Sequence, residues 1–315
     1  MKRLFFLAAV LVSMVSAQAT VLRVNNIEGV DAPYKTVDAA LLDAASGDTI
    51  MLEGSPTSYG KFTIKVPVTI IGPGYWQVKN GIMAEGANEA YTQNIFVEAP
   101  NVTIHGIDMA YLRVYHSHCI ATRCRMDGVS YHIVKDNEGN IVMKGDNSVI
   151  SQCVIGGSIV VDGGTSSRTA GHQITNNIFN ADSQQEDPRI DIAQLDNSYI
   201  AYNTFRGYLN CSSCSAAGVE YNIWSEELSS SSTNSVGTNQ IYSFGKQLTK
   251  DSTDKDFYEH EGTLNVRDTF GAFAGDNPYV LSGIPTGPVI TDIEMPTTVE
   301  AGSKLNVTLK VAVSK

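Results

Sequence analysis

Gln173-Ile-Thr-Asn-Asn177-Ile-Phe179, Tyr199-Ile-Ala-Tyr-Asn203-Thr-Phe205 and Gly218-Val-Glu-Tyr-Asn222-Ile-Trp224 decide the fold. They align without gaps around a central Asn and end on a bulky apolar residue two positions later. Four earlier segments join the same frame: Val68-Thr-Ile-Ile-Gly72-Pro-Gly74, Val102-Thr-Ile-His-Gly106-Ile-Asp108, Ile120-Ala-Thr-Arg-Cys124-Arg-Met126 and Val149-Ile-Ser-Gln-Cys153-Val-Ile155. The central column reads Gly72, Gly106, Cys124, Cys153, Asn177, Asn203, Asn222, at spacings of 34, 18, 29, 24, 26 and 19 residues. Fixed strands with turns of variable length are the signature of a solenoid. A small residue, or Asn in the left-handed conformation, suits a sharp bend between two short strands. Stacked Asn side chains can hydrogen-bond from coil to coil. Met126, Ile155, Phe179, Phe205 and Trp224 are expected to stack inside; Asp108 departs from that pattern. The repeat stops after Trp224.

A third strand per coil fits just before each segment, at Phe62–Lys65, Ile95–Glu98, Leu112–Tyr115, Ile141–Lys144, Ile159–Asp162 and Ile190–Ala193. Each has apolar residues at its first and third positions, so period 2 turns the second and fourth outward. The outward face then carries Thr63, Lys65, Phe96, Glu98, Arg113, Tyr115, Val142, Lys144, Val160, Asp162 and Asp191. Leucine-rich blocks are absent, and a sandwich would lack the fixed bend column. The fold expected is all-β: a right-handed parallel β-helix solenoid with an N-terminal capping helix and a short β-strand C-terminal tail.

The ends follow from local signals. Thr36 to Ala45 reads as an amphipathic helix with Thr36 as N-cap, Val37, Ala40, Leu41 and Ala44 on one face and Gly47 as the stop. Asp48-Thr-Ile-Met-Leu52 reads as the first full strand. Ser225 to Asn239 reads as a loop and Lys250 to Asp256 as a solvated connection. Val289-Ile-Thr-Asp-Ile and Lys304-Leu-Asn-Val-Thr-Leu-Lys-Val alternate like two strands, resembling the opening of an immunoglobulin-like module; the alternatives are strands that pack on the solenoid or that add to a partner. The divisions are a signal peptide at 1–19, the β-helix at 20–245, a capping segment and linker at 246–288, and the strand tail at 289–315.

Met1-Lys2-Arg3, the apolar run Leu4 to Val15 and Ser16-Ala17-Gln18-Ala19 have the three regions of an export leader, with an apolar run too short to span a bilayer. The chain is therefore expected outside the cytoplasm: secreted, periplasmic or at the cell surface, without membrane insertion. The formal charge is −11, and loss of Lys2 and Arg3 with the leader makes it more acidic by two. Such a balance excludes nucleic acid and anionic membrane as the expected partners. Five cysteines, Cys119, Cys124, Cys153, Cys211 and Cys214, leave one thiol unpaired unless another chain supplies a partner. None has a good zinc-ligand spacing.

Tyr34-Lys-Thr-Val-Asp-Ala-Ala40, Ala45-Ser-Gly-Asp-Thr-Ile50 and Val66-Pro-Val-Thr-Ile-Ile-Gly-Pro-Gly74 resemble the N-terminal coil of the pectin-lyase-like right-handed β-helix superfamily. The Asn-x-Phe and Asn-x-Trp endings resemble its later coils, so the likeness covers roughly Val21 to Glu226. The stretch from Phe270-Gly-Ala-Phe through Ser282-Gly-Ile-Pro285 resembles secreted proteins of gut Bacteroidetes. The superfamily holds lyases, hydrolases, esterases, tailspikes and adhesins, so fold leaves function open. Its enzyme motifs are missing. There is no Trp-Ile-Asp-His block, no Asp-Asp pair, no Gly-His-Gly and no Gly-x-x-Asp-Phe-Ile-Phe-Gly; Arg189-Ile190-Asp191 stands where Arg-Ile-Lys would be needed. Those absences weigh against an enzyme.

The function expected is binding of a polysaccharide, a cell-surface glycan or another surface partner, at a site formed by Arg113, Tyr115, Lys144, Asp162 and Asp191. The alternatives are a divergent polysaccharide lyase or glycoside hydrolase, and a structural or adhesive spacer. In the lyase reading Lys144 or Arg113 serves as base and Asp162 with Asp191 binds calcium; otherwise no metal or cofactor is expected. Solvated cross-strand charge pairs on a plain face are the competing account of the same residues.

Overall fold

The computed structural model describes residues 19–83, 85–127, 141–161, 168–181, 189–192, 195–211, 214–215, 217–224, 229–230, 235–242, 248–284, 288–294, 304 and 307–313. The expected export leader lies outside the described residues except for its last position. Among these residues the chain is mostly parallel strand with two α-helices, Val37–Asp43 and Asp254–Thr263. This architecture is compatible with a β-helix.

The first sheet has ten strands in chain-alternating order: Val21–Val24, Thr49–Leu52, Thr69–Ile71, Thr103–His105, Ile120–Thr122, Val149–Ser151, Gln173–Thr175, Tyr199–Ala201, Gly218–Glu220 and Ser235–Val236. Val21–Val24 thus precedes the strand read as the first. Side chains alternate across each strand, so Ile50, Ile70, Ile104, Ala121, Ile150, Ile174, Ile200 and Val219 stack in one buried row. The second sheet has eleven strands and branches at Asp108–Val114. Asp108 and Met109 pair with Arg125–Met126, whereas Leu112, Arg113 and Val114 pair with Ile141–Met143. One branch carries the strands after the bend, Arg125–Met126 through Gln240–Ile241. Phe179 and Phe205 stack inside it with ring centroids 4.5 Å apart. The other branch carries the expected third strands, with Phe62, Ile95, Leu112, Ile141 and Ile159 in register.

Strand pairing corrects the early register by one residue. Thr103 lies opposite Ile120 and His105 opposite Thr122, so Ile107, and not Gly106, takes the place of Cys124. Met109 then pairs with Met126, and Asp108 pairs with Arg125, which accounts for its departure from the apolar column. A glycine suits both positions of the bend, so spacing alone misplaces it. The left-handed conformation also falls one residue earlier than expected. Gly106, Arg123, Gln152, Asn176, Tyr202 and Tyr221 have φ between 54° and 67°.

The column residue itself turns inward and serves the backbone of its neighbour. Asn177 Oδ1 accepts from the Cys153 amide, Asn203 Oδ1 from Asn177, Asn222 Oδ1 from Asn203 and Asn239 Oδ1 from Asn222, each at 2.9 Å. Their Nδ2 groups donate to Ile150, Ile174 and Ile200 carbonyls at 2.8–2.9 Å, and to Val219 at 3.1 Å. Cys153 Sγ fills the same role for the Cys124 amide at 3.4 Å. Asn239, with Val236 opposite Val219 and Ile241 opposite Trp224, shows that the repeat continues one coil beyond Trp224. A second inward ladder joins the first sheet's entry points. Ser148 Oγ accepts from Cys119, His172 Nδ1 from Ser148 and Ser198 Oγ from His172. Burial lowers the His172 pKa to about 4, which keeps that ring a neutral acceptor. All five cysteines are buried as thiols.

Thr36 Oγ1 caps the first helix by accepting from the Ala39 amide at 3.2 Å, and Val37 and Ala40 join the core beside Leu41 and Ala44. After the last coil the chain doubles back. Residues 248–284 form a strap along the bend, and the outward left-handed residues hold its backbone one coil at a time. Asn176 Nδ2 donates to Ala274 O at 2.8 Å, Gln152 Nε2 to Pro278 O at 2.8 Å, and Arg123 to Ile284 O at 2.8 Å. The Lys250–Asp256 stretch, expected to be solvated, leads into a helix in which Asp254 and Phe257 are buried. Pro288–Glu294 and Thr308–Val313 pair antiparallel.

Two outcomes test this account. Asn203→Ala strands the Asn177 amide and should cost about 2–4 kcal/mol in urea unfolding, because each buried unpaired polar group costs about 1–3 kcal/mol. Phe205→Ala should cost about 3–5 kcal/mol through the cavity left beside Phe179. A loss below about 1 kcal/mol for either would contradict its interior placement.

Candidate functional site

Of the site residues expected from sequence, Arg113 falls on, and Tyr115 and Lys144 fall just after, strands of the branch of the second sheet that contains Phe62–Ile64, Tyr91–Val97, Asp108–Val114 and Ile141–Met143. Thr63, Phe96 and Arg113 stand opposite one another on successive strands. Two residues on, the ladder bonds Glu98 N to Ile64 O at 2.8 Å, Tyr115 N to Val97 O at 2.9 Å and Lys144 N to Val114 O at 2.7 Å place Lys65, Glu98, Tyr115 and Lys144 in a parallel row. Neighbouring rungs are about 4.8 Å apart. Lys144 is exposed and its ammonium lies 4.9 Å from the centroid of the half-buried Tyr115 ring. Lys65 meets Glu98 at 3.9 Å in an exposed pair.

The structure therefore brings Arg113, Tyr115 and Lys144 together. Asp162 lies outside the described residues, and so does the side chain of Asp191. The Asp191 backbone belongs to Arg189–Asp191, which pairs with Tyr208–Cys211 in a separate three-stranded sheet. A bridge sets Ile159 opposite Ile192, two residues beyond the Ile190 alignment read from sequence. Ile190 and Ile192 share a pleat face, so the apolar pattern fits both registers. Of the other side chains singled out, His116 is exposed beside Tyr115. His105 is half-buried, with a pKa lowered to about 4 by burial and by the neighbouring Arg123.

Sequence reasoning missed a second cluster on the bend side of this sheet. The Arg125 guanidinium bridges Asp108 and Asp127 and stacks on Trp76 with 5.1 Å to the ring centroid. Asp108 is 3% exposed, and its Oδ1 has no hydrogen-bond partner. Burial pushes its carboxyl up to about 7 against the opposing pull of Arg125. The one sequence signal was an acid standing in a column of apolar residues; its partner lies one coil away and carries no local mark. With Trp76 8% exposed, this cluster pins the 73–83 loop to the sheet and offers little surface to a ligand. A shallow depression of about 490 Å³ lies elsewhere, against the second helix, lined by Asp251, Asp256, Glu259 and His260 among others. Among the described residues no group of three or more His, Cys, Asp or Glu side chains is placed to hold a metal ion.

The two ion pairs on this sheet should respond differently to truncation. Arg125→Ala leaves the buried Asp108 carboxyl without its cation and should cost about 3–5 kcal/mol. Lys65→Ala removes an exposed pair and should cost under about 1 kcal/mol. Urea unfolding at neutral pH distinguishes them; equal losses would show that the Asp108–Arg125 contact is solvated. A comparison with protein-family models finds no match for the chain, and a comparison with curated proteins finds none either.

Proposed function

We propose that this protein is a secreted right-handed parallel β-helix of the pectin-lyase-like type, with its first helix covering the N-terminal end, and that it binds an acidic glycan through Arg113, Tyr115 and Lys144. The observation that carries the reading is the Lys144 ammonium held over the Tyr115 ring at 4.9 Å, with Arg113 on the same strand as the run leading to Tyr115. An aromatic face and two cations on adjacent rungs match a polymer that presents sugar rings and carboxylates at regular intervals. The ring supplies stacking surface, and the cations supply charge pairing. A chain of formal charge −11 repels polyanions at long range, so recognition depends on this local cationic row. In this reading no catalysis and no cofactor are involved. Among the described residues no helix is long and apolar enough to cross a membrane.

The triple variant Arg113→Ala, Tyr115→Ala, Lys144→Ala should lose binding to acidic polysaccharides on a glycan array by roughly tenfold or more, since two charge pairs and a stacking contact contribute about 0.5–1 kcal/mol each or more. Its melting temperature should stay close to the parent, because the three side chains are exposed or half-buried. Unchanged binding by the folded variant would move the site elsewhere. Release of unsaturated products, read by ultraviolet absorbance, would make the protein a lyase.

A further inference from the structure

The strap of residues 248–284 is joined to the coils by two buried carboxyls on its own helix. Glu261 is fully buried, and Thr204 of the second sheet donates to its Oε1. The same Thr204 Oγ1 accepts from the Ala272 amide at 2.9 Å. Glu261 Oε2 has no partner, and a Cβ on Gly271 would stand 2.7 Å from it, so the strap closes over the carboxyl. Seven residues earlier, Asp254 is also fully buried. Its Oδ2 accepts from Tyr279 OH at 3.0 Å and from the Ser282 amide, and its Oδ1 from Asn80 Nδ2 at 2.7 Å. Tyr279 in turn meets Tyr75 OH, which ties this network to the early coils.

We infer that the strap is a pH-sensitive clasp: it lies closed on the coils while Glu261 holds its proton, and it loosens from the coils when Glu261 loses it. A carboxylate at Glu261 would put charge into a site that offers one hydroxyl donor and a covered second oxygen. The groups around it are few. The second sheet presents Thr204 and Ile223, neither titratable. On its own helix His260 is adjacent, and beyond the helix Arg267 is the cation that opposes the effect while lying over the Tyr258 ring at 4.3 Å. Around Asp254 the titratable neighbours are Tyr75 from the early coils and Tyr279 from the strap, with Cys124 and Cys153 behind Tyr75. Lys255 and Asp256 on its own helix are exposed.

Burial moves both carboxyls upward, Glu261 to about 8 and Asp254 in the same direction. A carboxyl that binds its proton more tightly when folded favours the closed state below its ordinary range near 4.5. That advantage shrinks as pH rises and is spent above about 8. Opening would expose Tyr75, Val154, Ile178 and Ile223, which now pack against Leu248, Phe257, Ala272 and Tyr279.

Hydrogen exchange of the intact chain, read by mass spectrometry and normalised to unfolded-chain rates, tests the clasp at about pH 5.5 and about pH 9. The Phe257, Gly271, Ala272 and Tyr279 amides should lose protection by roughly tenfold or more at the higher pH, while peptides holding Asn177 and Asn203 change far less. Glu261→Gln should flatten the pH response of the strap. Parallel behaviour of strap and ladder across pH in the parent chain, which needs no variant, would overturn the proposal. So would an unaltered pH response in a folded Glu261→Gln protein.

Discussion

A bend between two strands turns a peptide N–H toward the interior, and a buried amide without an acceptor costs about as much as the bend could return through packing. The remaining architecture depends on how that amide is satisfied. From Asn177 to Asn239 a side-chain amide does it, accepting with Oδ1 and donating with Nδ2 to a backbone carbonyl. At Cys153 a thiol takes over as the weaker acceptor. Further toward the N-terminus the column carries Ile107. The ladder thus grades from fully polar to apolar along the chain, and the apolar end coincides with the first helix and its packed Val37 and Ala40. Polar pairing and hydrophobic packing replace one another along the same column.

The same bend decides what happens outside. The residue before Cys124, Cys153, Asn177, Asn203 and Asn222 is left-handed, so its side chain leaves on the corner between the two sheets. Glycine, the residue with the least strain there, occupies none of these five positions. Arg123, Gln152, Asn176, Tyr202 and Tyr221 occupy them, and each meets the strap. The first three donate to its carbonyls. The Tyr202 ring lies 3.1 Å from where a Cβ on Gly275 would stand, and the Tyr221 carbonyl accepts from Gly271. Strain at the corner is tolerated because each strained residue gains a contact with a segment running back along the coils.

This explains which features the sequence revealed. The mostly parallel β architecture depends on local period and on bulky residues such as Phe179, Phe205 and Trp224, all of which can be read within one repeat. The register at Gly106 was misread because glycine satisfies both the inward and the left-handed position. The last coil was missed because its strands Ser229–Ser230 and Ser235–Val236 are short and Ser-rich, although Val236, Asn239 and Ile241 keep the pattern. The strap was illegible because its bonds go mostly to backbone carbonyls, which carry no residue identity. At the candidate site, period 2 placed Arg113, Tyr115 and Lys144 on one surface. It could not pair Asp108 with Arg125, since that contact depends on the corrected register.

Parallel pairing also limits what the outward face can recognise. In the proposed reading, Arg113, Tyr115 and Lys144 stand on or beside strands held by parallel backbone bonds and by the buried Leu112, Val114 and Met143, so they would begin close to their bound arrangement and binding would lose little backbone freedom. The cost is that spacing cannot adapt: contacts come at the rung interval of about 4.8 Å and in straight rows. A compact ligand would engage one rung and gain little from the next. An extended polymer lying across the strands meets several rungs at once, each adding a weak contact at high effective concentration. If the face binds as proposed, its fixed spacing favours a long repetitive partner, and its few cations favour one that carries negative charge.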